Sequence, residues 1–170
     1  MKGLFLLVGA LVTLPAMAQS HNPLEKKNWF GDPFFQVSKG LAACPAPEGP
    51  MLTFEEQRLQ AHWRAERGTS CWLAGKCKDS NAYRYDKTLA PQVEAALKAL
   101  PELAVSSVWV TVQRRWVFLE GCVASPEHAL KLEQAVKSVP EVEAVVPALM
   151  IGARGKPPYA LAPRKGSRHH

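Results

Sequence analysis

From Ser107 to Val123 the chain reads SVWVTVQRRWVFLEGCV, in which Val108, Val110 and Val112, then Val117, Leu119 and Gly121, alternate with other residues on either side of Arg114-Arg115. A period of two sends successive side chains to opposite faces of a strand, so the stretch predicts a hairpin. If the two arginines form a two-residue turn, Val112 faces Val117, Val110 faces Leu119 and Val108 faces Gly121. These residues make one apolar face. The opposite face carries Trp109, Thr111, Trp116, Phe118, Glu120 and Cys122, and it is apolar enough to need a cover of its own.

Helical spacing flanks the hairpin. Leu89, Val93, Ala96, Leu97 and Leu100 predict a helix over about 88–99, with Asp86 or Thr88 as its cap, Pro91 in its first turn and Pro101 as its stop. After the hairpin, Ser125-Pro126-Glu127 supplies an N-cap, a first-position proline and a first-turn acid, and Ala129, Leu132, Val136 and Val139 continue the period until Pro140. Residues 142–151, VEAVVPALMI, read as a strand whose Pro147 demotes part of it to an edge or a bulge.

Upstream, Thr53 and Glu56 have capping-box spacing and Gly68 falls where a helix would end on a left-handed residue. A surface helix over about 53–67 follows, with Leu59 and Trp63 as a narrow apolar stripe. Residues 19–52 show no sustained period. They read as an irregular arm, yet Trp29, Phe30, Phe34 and Phe35 are too many aromatics for a solvated linker, so the arm is expected to pack on something.

The pattern from Asp86 to Gly152 resembles the BON domain family, small bacterial envelope modules with an αββαβ fold. Val108, Val110, Val112, Val117, Leu119, Gly121 and Val123 fall on the family's hairpin pattern, and Pro140, Val142, Val145, Leu149 and Ile151 on its closing turn and strand. Two positions depart: Arg115 stands where the family usually has the turn glycine, and Glu141 where it has a glycine before the valine. The resemblance implies an α+β fold with a three-stranded sheet and two helices on one face. It implies phospholipid binding or contacts among envelope proteins, and no enzyme activity or cofactor.

The first residues and the cysteines set the compartment. One basic residue, Lys2, precedes an apolar run to Leu14 and the small-residue pattern Ala16-Met17-Ala18, which predicts a cleavable signal peptide over 1–18. No cysteine follows Ala18, so a lipid anchor is not expected, and the run is too short to span a bilayer. The expected location is the periplasm. Four cysteines, Cys44, Cys71, Cys77 and Cys122, then lie in an oxidising compartment that favours pairing. Three connectivities are possible. The simplest joins Cys71 to Cys77 locally and Cys44 to Cys122, which would staple the extension of residues 19–85, with its helix, over the outer face that bears Trp109 and Phe118. The alternatives are a different pairing, a free buried Cys122 or, less in keeping with the spacing, a zinc site, for which neither CxxC nor HxxxH is present.

Charge separates the last residues from the rest. Of the 21 Lys and Arg, Lys2 lies in the leader and five follow residue 152, so the 15 acidic side chains balance the remainder. All the net charge of the exported chain therefore sits in the Pro-rich segment 153–170, on Arg154, Lys156, Arg164, Lys165 and Arg168. A solubilising disordered end is the plain reading. The alternative is that these cations meet an anionic phospholipid surface, with Tyr159 and Leu161 as shallow anchors. Nucleic acid would use the same charges, but export argues against it. His62 and His128 read as surface or capping residues, Ser125 as an N-cap, and no phosphate loop, paired carboxylates or nucleophile elbow is present. The sequence thus points to a non-enzymatic binding module without cofactor or metal, its partner an anionic phospholipid surface or an envelope protein.

Overall fold

The structure, a computed structural model, describes residues 22–163; the expected leader of residues 1–18 with its cleavage site, and Arg164, Lys165 and Arg168, lie outside the described residues. The alternating stretch folds as the hairpin it predicts. Strands β2 (Ser107–Gln113) and β3 (Trp116–Val123) pair antiparallel, with Val112 opposite Val117, Val110 opposite Leu119 and Val108 opposite Gly121. β4 (Ala144–Ile151) lies parallel to β3. Helices α2 (Asp86–Lys98) and α3 (Pro126–Lys137) contribute Leu89, Val93, Leu97, Leu132 and Val136 to the core under the valine face. These and the hairpin valines are at most 1% exposed, and each such side chain contributes about 1.5–3 kcal/mol relative to leaving it in water. Gly121 permits the close approach of the two strands. It has φ +130°, and a Cβ there would sit 2.1 Å from the Ser107 carbonyl oxygen.

The hairpin turn uses two arginines where glycine is usual, both left-handed, at φ 57° and 65°. That is the conformation a two-residue turn needs to match the twist of its strands. Asp86 makes it tenable. The backbone N–H of Arg114 and of Arg115 donate to its two carboxylate oxygens at 2.7 and 2.8 Å. Asp86 is therefore turned to the hairpin and does not cap its own helix, and Thr88 donates to the Tyr85 carbonyl instead of capping. α2 starts at Asp86, straight after a 3-10 turn over Ala82–Tyr85. Pro91 consequently falls in the second turn and not the first. The helical bond it forfeits would have gone to the Lys87 carbonyl, and both residues are exposed, so solvent can take that place.

The second departure from the family pattern behaves like the first. Glu141 is also left-handed, at φ 69°. Arg115 Nε donates to its carbonyl at 2.8 Å, and the Arg115 guanidinium pairs with its carboxylate at 3.2 Å. The two charged residues at glycine-like positions hold one another.

The arm is not irregular throughout. Phe34–Gln36 forms a short strand, β1, antiparallel to β2, so the sheet has four strands in the order β1-β2-β3-β4 and not three. Contacts extend beyond the strand: Val112 N–H donates to the Pro33 carbonyl, Val108 N–H to Ser38 Oγ, Val37 N–H to the Val108 carbonyl and Gly40 N–H to the Ser106 carbonyl. The physical reason is the edge of β2, whose unpaired backbone groups are a template for any strand in reach.

Helix α1 (Phe54–Leu73) begins with the expected capping box, Glu56 N–H donating to Thr53 Oγ1 while Thr53 N–H donates to Glu56 Oε2. It runs past Gly68. That glycine is buried in the helix interior, where the absent side chain leaves room for Asn81, whose Oδ1 lies 2.8 Å from where a Cβ would be. The left-handed glycine is Gly75, beyond the true end. Leu59 and Trp63 do not face the protein; they are 64% and 54% exposed. The inward face is Arg64, Gly68 and Cys71.

Candidate functional site

The outer face of the sheet divides into two ends, each closed by a different device. At the end near Cys122, that side chain is fully buried and bonded to Cys44 of the arm, 78 residues away in sequence. The loop after Cys44 is backed by the last described residues of the chain. Glu48 N–H donates to the Ala160 carbonyl, Ala162 N–H to the Ala46 carbonyl, and Tyr159 Oη to the Pro45 carbonyl at 2.8 Å. Glu120 lies beneath this cover, and burial pushes its carboxyl up. Tyr159 is likewise pushed up, by burial first and by Glu120 second. The segment expected to be a free end thus lies back on the protein as far as residue 163, and its tyrosine is engaged with the arm. Trp109 is half-buried, flanked in register by Gln36 and Glu120.

At the hairpin end the device is polar. Asp32 of the arm is buried and takes both ends of the Arg64 guanidinium, with Nη1 to Oδ1 at 2.9 Å, and a third bond from Gln113 Nε2 at 2.7 Å. Arg64 is itself sandwiched, 3.8 Å from the centroid of Phe30 and 4.6 Å from that of Tyr83. A planar guanidinium can accept stacking and bidentate pairing at once, which lysine cannot. The local disulfide Cys71–Cys77 closes the turn after α1, and Arg115 Nη1 approaches Cys77 Sγ at 2.8 Å.

Between α1 and the sheet at this end is a cleft of about 390 Å³ lined by Arg67, Tyr83, Gln113, Arg114, Trp116 and Phe118. Phe118 is thus half-buried with one side on the cleft. Burial pushes the Tyr83 hydroxyl up, against the pull of Arg64, Arg114 and Arg67, whose guanidinium groups all lie within electrostatic reach. The sequence marks Trp116 and Phe118 as outer-face residues. It does not bring Arg67 or Tyr83 to them; the arginine spacing at 64 and 67 on one helix was the available signal.

Residues 85–153 match the BON domain. This stretch is a BON domain. The match ends where the tail begins and starts at Tyr85, one residue before Asp86 engages the hairpin, so the whole αββαβ unit lies inside it. No curated protein and no solved structure matches the chain at a significant level. The BON domain is a non-catalytic module. Both disulfides belong to the simplest pairing, one wholly within the extension and one tying the extension to the BON sheet. Among the described residues no helix is long and apolar enough to cross a membrane, and no cluster of three or more His, Cys, Asp or Glu side chains is arranged to hold a metal ion. Of the basic residues expected to reach a partner, Arg154 and Lys156 are exposed and have no ion-pair partner among the described residues.

Proposed function

We propose that the chain is an exported, non-enzymatic envelope protein that binds peripherally to anionic phospholipid surfaces. The observation that carries this reading is the pair Arg154 and Lys156. They are exposed, unpaired among the described residues, and sit on a segment pinned to the body by the pairing of Pro47 with Leu161. Cations held in place approach a surface together, at about 1 kcal/mol each near anionic headgroups. The two disulfides support an oxidising compartment outside the cytoplasm. Sedimentation with vesicles rich in phosphatidylglycerol tests the reading. Binding should weaken as salt rises, because surface charges are screened, and weaken about fivefold for each of Arg154→Gln and Lys156→Gln. Binding unchanged in the double variant removes these residues from the mechanism.

A second reading has its own observation. Leu59 and Trp63 of α1 are more than half exposed, as a contact surface for another envelope protein would be. Cross-linking of the native chain to one defined partner, together with no vesicle binding at low salt, would favour assembly over lipid affinity.

A further inference from the structure

The cleft between α1 and the hairpin end of the sheet has a composition that neither its packing role nor the tail explains. Its floor is aromatic, from Trp116 and Phe118, and its rim is cationic. Arg114 lies 5.0 Å from the Trp116 ring centroid, and Arg67 lies 5.8 Å from that of Trp63. Neither arginine has a carboxylate partner among the described residues. Of the two nearby carboxylates, Asp32 is taken by Arg64 and Gln113 and Asp86 by the backbone N–H groups of the hairpin turn, so neither forms an ion pair with the guanidinium of Arg67 or Arg114. The remaining polar groups are mixed: Gln113 has given an amide N–H to Asp32 and keeps its carbonyl oxygen as an acceptor, while the Tyr83 hydroxyl can donate or accept. The buried indole N–H of Trp116 has no acceptor, and Tyr83 closes the side of the cleft. A volume of about 390 Å³ is at the small end for a ligand pocket and suits one ring with a substituent.

We propose that this cleft binds an oxyanion carried on a ring: the ring stacks on Trp116 and Phe118, and the anionic group takes Arg67 and Arg114. Guanidinium groups without an ion-pair partner select charge sign, since a cation would meet two like charges at short range. The aromatic side chains of Trp116 and Phe118 favour a ring, because an aromatic or sugar face lies against an aromatic side chain with little loss of conformational freedom. The site is made jointly by the extension and the BON domain, since Arg67 and Tyr83 precede residue 85 while Arg114, Trp116 and Phe118 follow it. It shares no residue with the tail, so its failure and that of the phospholipid reading are separate events.

Two ring chemistries would present the same oxyanion, an acidic sugar and an aromatic acid, and the test separates them. The full chain with both disulfides formed is labelled with nitrogen-15, and the indole N–H signal of Trp116, assigned with Trp116→Phe, is followed during titration with glucuronate, benzoate, glucose and benzyl alcohol. The expected result is a saturable shift with one or both acids and none with the neutral compounds. A response to glucuronate alone identifies an acidic sugar site, and to benzoate alone an aromatic acid site. Arg67→Gln and Arg114→Asn should each weaken the response about fivefold to tenfold, the loss of one charge-assisted contact, while Lys98→Gln on α2 leaves it unchanged. Asparagine is chosen because it tolerates the left-handed turn position. No shift with either acid, equal shifts with the neutral compounds, or equal weakening by Lys98→Gln would overturn the proposal.

Discussion

Residues 85–153 bury a continuous set of Leu and Val side chains from two helices and the hairpin, with Val145 and Leu149 of β4 partly buried against them, whereas residues 22–84 add only Val37, Pro47, Cys71 and Ala82 to the buried apolar side chains. The BON half is held by hydrophobic burial. The extension is held by a backbone zipper along β2, a buried Arg64–Asp32 pair stacked between rings, and two disulfides. The difference teaches what an added segment must do when it has no core of its own. It borrows a sheet edge and a sheet face from its neighbour, and directional or covalent links replace the area it cannot bury.

The comparison can be broken first where burial is least forgiving. Gly121→Ala places a methyl group 2.1 Å from the Ser107 carbonyl oxygen and forces a side chain into φ +130°. It should cost about 4 kcal/mol or more and unfold both halves together, as chemical denaturation monitored by circular dichroism would show. Replacing Cys44 and Cys122 with serine should cost about 2–4 kcal/mol. Here the extension should become protease-sensitive while the BON half keeps its core, so limited proteolysis separates this outcome from global unfolding.

Smaller effects sharpen the junction between the halves. Burial pushes the Asp86 carboxyl up to about 6 from its ordinary 3.8, with the two turn N–H bonds pulling the other way. The folded chain therefore holds this proton more tightly than the unfolded chain. Stability should fall as pH rises from about 4 to about 6 and level off above that. Asp86→Asn should remove that slope and cost about 1 kcal/mol for the hydrogen bond it forfeits, read from denaturation midpoints across the range. The smallest effect is expected at Glu141. Glycine there relieves the left-handed strain, but it frees the unfolded chain and removes the partner of Arg115, so stability should change by about 0.5 kcal/mol or less. A loss above 1 kcal/mol would show that the Arg115–Glu141 bond, and not backbone tolerance, holds the closing turn.

The BON half was readable because each of its elements repeats one signal several times: the alternation at 108, 110 and 112 fixes strand and register together, and the Ser125-Pro126-Glu127 start agrees with the apolar period that follows. The extension offered single signals, and single signals misled. Gly68 has the place of a helix terminator but serves a close contact with Asn81. Leu59 and Trp63 have the spacing of a packing stripe but face outward, because Arg64 on the opposite side has the stronger claim through Asp32, Phe30 and Tyr83. β1 is three residues long, too short for a period to show, and it exists because β2 offers an edge. The disulfide across the outer face was legible through the placement of Cys122 on the wrong face for the core. The cleft was not, since its residues come from α1, the turn before α2 and the hairpin, and only the fold brings them together.

Amide exchange at Val108 and Val112 bears most directly on the zipped and stapled extension. Both N–H groups lie on β2 and donate to arm acceptors, Ser38 Oγ and the Pro33 carbonyl. In the oxidised chain they should exchange as slowly as Val117 and Leu119, and after selective loss of the Cys44–Cys122 bond they should speed up while those two stay slow. Fast exchange at Val108 and Val112 in the oxidised chain, with the core still protected, would contradict an arm seated on that edge.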